Sequence, residues 1–531
     1  MAFWSSFDAY AAPDNAAGAT PAAGPTFQNL SPNRRIITTP DVITVSNGKR
    51  LQGERGLIFV PENRADPNSR LIVLHFQRYF AKESKAGRSP VFLFPGGPGG
   101  ELRFEKPWSF EQLDHLRATR DVVVVSQRGF PKAPGLVPDL TVRIPPTRSL
   151  LQPADISVLS KTRRQEYKRA LQFWRSIGID VEGYDLINIT DDLYELRAAL
   201  GYEKVVLRSC SFGSQLSFSY IKRWPETVDR ALLGGVEPLD YGYDSPKALM
   251  DSIARLAVQV DNDEDFAAFL PPGGLMEAIR SIYDRLEAEP VRVKVNIADK
   301  DVSLPIVLGV DDLRLGSLVV LRGLPGKTDT EDLALWPHFI LDMYRGDFRT
   351  LGLLSIERRL SGESFPMMFQ LIDNSIGISK VRDKKLLQQP ERRFIDPNWG
   401  YRATRDVKAA PEITKSYRKD WQIDAPVLLL SGDLDWYTPV ENGEHGASLL
   451  RNGKLIRVRN GTHCPLGRPE QISKNDPELA ATIRSFIDED LSDGRAQEFF
   501  DRLPTQVNLP TINFAHPDEV DLYELLLSQT D

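Results

Sequence analysis

The segment Ser209-Cys210-Ser211-Phe212-Gly213 sets a serine between small residues, after the apolar run Lys204 to Cys210 and before the amphipathic run Phe212 to Trp224. A serine on such a strand–turn–helix corner is a nucleophile elbow, with Ser209 where the usual pattern has glycine. Small neighbours let strand and helix pack closely, and the hydroxyl projects from the turn. The Phe212 N–H, at the helix start, can then donate to an oxyanion. A second donor is expected from the loop Phe94-Pro95-Gly96-Gly97-Pro98-Gly99-Gly100. Glycines bring backbone N–H groups close to a substrate, and Gly97 is the expected donor. A bland turn is the alternative reading. A nucleotide loop would need a G-K-[S/T] ending, which this segment lacks.

A serine nucleophile needs a base, and the base needs an acid. The chain has six histidines. His75 lies in a strand, His115 and His445 in helices, His338 in a helical region and His516 in the tail. Only His463 stands on a loop after a late strand. Two acids, Asp433 and Asp435, follow the strand Ala425 to Ser431. In the order serine, acid, histidine, His463 takes the proton from Ser211 and the acid orients the imidazole. Glu237, Asp240 and Asp244 follow the strand Arg230 to Val236 and are candidate substrate-binding acids. Solvated loop acids are the alternative for each. Cys210 precedes the serine and Cys464 follows the histidine. The simpler expectation is two small residues packed separately. A bridge would need Cα atoms roughly 4.4–6.8 Å apart. A cysteine nucleophile is disfavoured, because Cys210 is one residue off the elbow position.

Placing these groups requires an alternation of short strands and longer helices. Leu71 to Tyr79, Val91 to Phe94, Asp121 to Ser126, Lys204 to Cys210, Arg230 to Val236, Ala425 to Ser431 and Lys454 to Arg459 read as strands. The four valines from Val122 fit a strand buried on both faces. Ile189 to Leu200 and Leu479 to Ile487 read as helices. Between about 240 and 415 the pattern is mainly helical, with Val291 to Ile297 the chief exception. The expected organisation is a leader over 1–30, a core over 31–239 and 416–493, a helical cap inserted over 240–415, and an extension over 494–531. The Ala/Pro/Gly-rich stretch at 10–26 reads as a flexible leader. It fits either a plain terminus or the remnant of a removed export signal; secretion or a periplasmic location is favoured over the cytoplasm.

With 531 residues and 41% apolar content, the chain can bury a large core without metal or disulfide support. A net charge of -7 without a basic run argues against nucleic acid as a partner. No apolar run approaches the ~18 residues of a membrane span. The expected partner is a small molecule or a short peptide.

The motifs resemble those of the proline iminopeptidase and tripeptidyl aminopeptidase-like α/β hydrolases. The family's H-G-G-P-G is similar to Pro95-Gly96-Gly97-Pro98-Gly99, its D-Q-R-G to Ser126-Gln127-Arg128-Gly129, and its G-x-S-[F/Y/W]-G to Ser209 through Gly213. Its G-x-x-D-x-x-T-P resembles Gly432 through Pro439, which selects Asp435 as the acid, and its G-H resembles Thr462-His463. Val60 through Arg64, Leu335-Trp336-Pro337 and Gly346-Asp347 resemble stretches of the tripeptidyl branch. The resemblance implies an α/β-hydrolase fold, a mostly parallel sheet flanked by helices under an inserted helical cap, and hydrolysis with neither metal nor cofactor. It suggests peptides with a free amino end, an aminopeptidase. An esterase, lactonase or amidase on a non-peptide molecule is the alternative, since both use an acyl-enzyme at Ser211. Epoxide hydrolysis or dehalogenation would want a carboxylate at 211, and a binding protein on a dead scaffold would not need all three of Ser211, Asp435 and His463.

Overall fold

The computed structural model describes residues 35–44, 47–83, 87–99, 107–129, 140–147, 149–297, 302–322, 324, 327–407, 409–419, 421–464, 472, 476–492 and 494–528. The leader expected over 1–30 lies outside them, as do Gly100 and Pro465.

The strands, in chain order, are β1 (Ile36–Thr44), β2 (Arg50–Pro61), β3 (Leu71–Tyr79), β4 (Val91–Phe94), β5 (Val122–Val125), β6 (Thr141–Ile144), β7 (Val205–Cys210), β8 (Val228–Gly234), β9 (Val291–Ile297), β10 (Val302–Leu308), β11 (Glu363–Pro366), β12 (Val427–Gly432), β13 (Gly453–Arg459) and β14 (Gln506–Asn508). Ten of them form one sheet in the order β1-β2-β3-β5-β4-β7-β8-β12-β13-β14. The first three and β5 pair antiparallel. From β5 to β14 every pairing is parallel. Strands β4, β5 and β12 are apolar at nearly every position because both faces are covered. Phe92, Val123, Val125, Leu207, Leu233 and Leu429 enter the core on one face. Val91, Leu93, Val122, Val124, Val206, Leu232, Leu428 and Leu430 enter the core on the other.

This is the α/β-hydrolase fold that the family resemblance implies, on the parallel, helix-covered sheet that the strand pattern predicts. The structure adds β1 and β2 upstream of the expected strands and β14 at the far edge. It also begins β8 two residues before the expected Arg230. The helices that pack on the sheet near the site are α1 (Pro107–Leu116), α2 (Ile156–Ser176), α3 (Leu186–Ala199) and α4 (Phe212–Arg223).

The chain between β8 and β12 does two things. Helices α5 (Pro246–Asp261), α6 (Gly274–Ala288), α7 (Val310–Arg322), α8 (Asp329–Arg345) and α9 (Arg349–Ser361) surround the β9–β10 hairpin and share a core of their own. Helix α10 (Met367–Ile376) instead packs Met367, Met368, Leu371 and Ile372 into the core under the sheet. A second small ladder, β6 with β11, ties this stretch back to the chain before α2. The tail is not separate from the rest. Its strand β14 extends the sheet, and Leu522, Tyr523 and Leu526 complete the core around α8 and α9. No described helix is long and apolar enough to cross a membrane.

Candidate active site

Strand order brings the motifs together. The chain passes from β4 to β5 on one side, then returns past β4 to β7 on the other, so the crevice between β4 and β7 is the switch point of the sheet. Sites of open α/β sheets lie at the carboxyl ends of strands at such a point. Phe94 at the end of β4 is paired with Ser209 at the end of β7. The Gly-rich loop and the serine turn therefore leave the sheet side by side. A methyl on Gly96 would stand 3.1 Å from Ser211 Cβ and 3.6 Å from its Oγ.

Ser211 adopts φ 59° and ψ -137° and opens α4 without making a capping hydrogen bond. Its hydroxyl is thus not committed to the helix, and its backbone N–H donates to Gly235 O at 3.0 Å. The unusual Ser209 is accommodated at 3.1 Å from the position a Gly213 Cβ would take. Its hydroxyl lies 2.8 Å from that of Ser217, which donates in turn to Gly213 O. Gly97 holds φ 115°, a conformation open to glycine. Gln127 braces this loop: its Nε2 donates to Pro95 O at 3.2 Å and its Oε1 accepts from Gly99 N at 2.8 Å.

The neighbouring parallel strands β12 and β13 deliver the acid and the histidine. His463 Nδ1 stands 3.0 and 2.9 Å from the two oxygens of Asp435. A carboxylate only accepts, so Nδ1 carries the proton and Nε2 faces away from the acid. Asp435 is fully buried and also accepts from Tyr437 N and Thr438 N, both at 2.8 Å, and from Thr438 Oγ1 at 2.6 Å. Burial pushes its carboxyl up, but the His463 ring and the Thr438 bonds outweigh it and hold the group below the ordinary range. Asp433, the other candidate, points elsewhere: its Oδ1 accepts from Asn460 N at 2.7 Å. The elbow and the acid loop meet over Gly235, where a Cβ would lie 2.7 Å from Cys210 Sγ and 3.1 Å from both Ser211 N and Thr438 Oγ1.

Cys210 and Cys464 form a disulfide, with Cα atoms 5.7 Å apart. The expectation of two separately packed residues is corrected here. The cysteines flank two residues that the fold draws together, although 254 positions separate them in the chain. The bridge pins the serine turn to the histidine loop.

The three weaker candidates divide. Asp240 is engaged away from the site, accepting from Ser379 N at 2.6 Å and Ser379 Oγ at 2.5 Å. Glu237 and Asp244 lie close enough to Asp435 to feel its charge. Burial drives the Glu237 carboxyl well above its usual range, and the charges of Asp244, Asp373 and Asp435 add to this. Burial likewise pushes Asp244 up to about 6, against the pull of Arg322, whose Nη2 is 3.4 Å from its Oδ2. The third member, Asp373 on α10, was not foreseen. Burial raises its carboxyl well above the normal range despite Arg163, and its Oδ2 is buried with no hydrogen-bond partner. A lone acid within a helix gives no signal in sequence. Tyr401 stands in the same field, its hydroxyl raised by burial and then by Asp373, Asp244 and Glu237.

Two further motifs prove structural. Arg128 is fully buried and donates to both oxygens of Asp192, at 2.8 and 2.6 Å, and to Glu62 O at 2.5 Å. Arg64 reaches the same Asp192 at 2.7 Å. The S-Q-R-G and V-P-E-N-R stretches therefore meet in one ion network behind the site.

Comparison with known proteins agrees with this architecture. Residues 89–263 match the alpha/beta hydrolase fold family and residues 396–475 match the TAP-like protein family. A search of curated proteins finds no match. Among solved structures, the chain is similar to a serine hydrolase from the polyaromatic-hydrocarbon-degrading bacterium Cycloclasticus zankles, at 12% identity over 86% of this chain and 100% of that one, with a TM-score of 0.32. A hydrolase from Pseudomonas aeruginosa is 13% identical over 85% of this chain and 98% of its own, with a TM-score of 0.32. A thermophilic esterase from Thermogutta terrifontis is 15% identical over 80% and 99%, with a TM-score of 0.31. Likeness at this level says nothing about substrate. The sheet and the two family matches make this a protein of the α/β-hydrolase fold with a TAP-like C-terminal region.

Proposed function

We propose that the chain is a serine hydrolase that cleaves amide bonds through an acyl-enzyme, with short peptides bearing a free amino end as its substrates. Ser211 Oγ attacks the carbonyl carbon while His463 Nε2 takes its proton and later returns it to the leaving amine. Asp435 holds the imidazole in the tautomer this requires and stabilises the imidazolium. The Phe212 and Gly97 N–H groups receive the oxyanion.

The observation that carries the substrate reading is the cluster of buried carboxyls Glu237, Asp244 and Asp373, the first two within the field of Asp435 and the third within that of Asp244. Burial makes these carboxyls reluctant to ionise, and Arg322 and Arg163 offset it only in part. A substrate ammonium supplies positive charge and lets them ionise, and its hydrogen bonds satisfy oxygens such as Asp373 Oδ2.

A panel of aminoacyl and tripeptidyl anilides with free and blocked amino ends, beside short and long acyl esters, tests the reading. Free-amine anilides are expected to be cleaved, blocked ones to fail, and Ser211→Ala to lose turnover on all of them while keeping its fold. Cleavage of esters alone would leave a serine hydrolase but overturn the amine specificity. Turnover by Ser211→Ala near that of the parent would overturn the nucleophile.

A further inference from the structure

The disulfide that pins the site also conceals a second set of ligands. The sulfurs of Cys210 and Cys464 and a ring nitrogen of His463 all lie within 4.8 Å of one another, in a half-buried position. His463 Nδ1 is held by Asp435, so the nitrogen left to coordinate is Nε2. A histidine whose other nitrogen donates to a buried carboxylate is the arrangement that orients histidine ligands of zinc. Tetrahedral zinc with bonds of about 2.3 Å to sulfur and 2.0 Å to nitrogen needs its ligand atoms about 3.5–3.8 Å apart. Opening the bridge frees the two sulfurs to separate toward that spacing.

We propose that reduction of Cys210–Cys464 converts the site into a Cys2His centre for Zn2+, and that the metal switches the hydrolase off by taking His463 Nε2. This rests on the proposed roles of Ser211 and His463. In the first step a small dithiol attacks the bridge. The S–S bond breaks, two electrons and two protons pass to the protein sulfurs, and the dithiol leaves as its cyclic disulfide. In the second step Zn2+ binds both sulfurs and neutral Nε2, releasing the two thiol protons to solvent, with water as the fourth ligand. Thiolates favour Zn2+ over Mg2+ or Ca2+. The nitrogen that would deprotonate Ser211 is then occupied, whereas in the oxidised protein there are no thiolates to hold the ion.

The test uses the whole chain, reduced with dithiothreitol, freed of it without air, and titrated with Co2+ as a spectroscopic stand-in. The expected result is one Co2+ per chain with a thiolate-to-cobalt charge-transfer band, displaced by Zn2+. That band should be absent from the oxidised protein, from reduced Cys210→Ser/Cys464→Ser, and from reduced His463→Ala. Labelling of Ser211 by a fluorophosphonate should fall at least tenfold in the reduced, Zn2+-loaded protein and recover with a chelator. Equal Co2+ binding by oxidised and reduced protein, or a band that persists in His463→Ala, would overturn the centre. Zn2+ loading that leaves labelling unchanged would overturn the switch. The cobalt spectrum needs no hydrolysis, so a band without Ser211 labelling in any form would sink the hydrolase reading and leave the metal centre standing.

Discussion

Ser211 holds φ 59° and ψ -137°, a region that costs a side-chain-bearing residue on the order of 1–3 kcal/mol. Its N–H bond to Gly235 O, the start of α4 and the adjoining disulfide all oppose relaxation. What this conformation gains is a hydroxyl set apart from the helix it opens. The choice between the two acids is equally local. Asp435 accepts a hydrogen bond from His463 Nδ1 and three more from Tyr437 N, Thr438 N and Thr438 Oγ1, whereas Asp433 accepts from Asn460 N and stands 3.9 Å from Arg255. Asp435→Asn is expected to lower kcat by ~10⁴, as loss of the correct imidazole tautomer does in triad enzymes. Asp433→Asn should change kcat by less than about tenfold, because it touches a loop and not the imidazole. Steady-state kinetics of the two variants, each checked for fold by circular dichroism, separates them. A larger loss in Asp433→Asn would reverse the assignment.

At the scale of elements, two pairs of adjacent parallel strands carry the machinery. Strands β4 and β7 deliver the glycine loop and the serine; β12 and β13 deliver the acid and the histidine. Gln127 links the first pair to β5 through its bonds to Pro95 O and Gly99 N. Gln127→Ala should therefore reduce kcat roughly tenfold with little change in KM, since it loosens an oxyanion loop rather than a binding wall. Equal loss in kcat and gain in KM would place Gln127 in substrate binding instead. Strands β4, β5, β7 and β12 were legible in sequence because burial on both faces leaves continuous apolar runs. Strand β2 was not, because it alternates buried and exposed positions and carries glycines at Gly53 and Gly56 under Tyr79 and Phe76. Strand β14 is three residues long and is strand only through its neighbour β13. The three residues proposed as nucleophile, acid and base could be singled out because each follows a recognisable strand. Asp373 could not, since only the packing of α10 into the core brings that acid within the field of Glu237 and Asp244.

Across the whole molecule, the region above the sheet is tied to the catalytic loops by shared parts. Leu434 and Trp436, on either side of Asp435, belong to the core formed by α5 through α9. Arg322, at the end of α7, donates to Trp436 O, lies 4.8 Å from the Tyr437 ring centroid and pairs with Asp244. Burial of the carboxyls around that arginine sets how stability depends on pH. Asp435, held low, contributes stability that is present above the unfolded pKa and lost as pH falls through the folded one. Asp244 acts with the opposite sign. Its pKa rises from 3.8 to about 6 on folding, so stability falls as pH climbs through that window and stays lower above it. The rise corresponds to on the order of 3 kcal/mol at neutral pH, shared with its charged neighbours. Asp244→Asn should accordingly raise Tm at pH 7.5 and gain little or nothing at pH 4. The same variant should raise KM for free-amine anilides roughly tenfold, as loss of one charge-assisted hydrogen bond does, while leaving KM for uncharged esters nearly unchanged. Thermal melts at the two pH values and kinetics on both substrate types read the two effects independently. A Tm gain without a KM change would mean that Asp244 is buried at a cost unrelated to substrate, and would move the ammonium to Glu237 and Asp373.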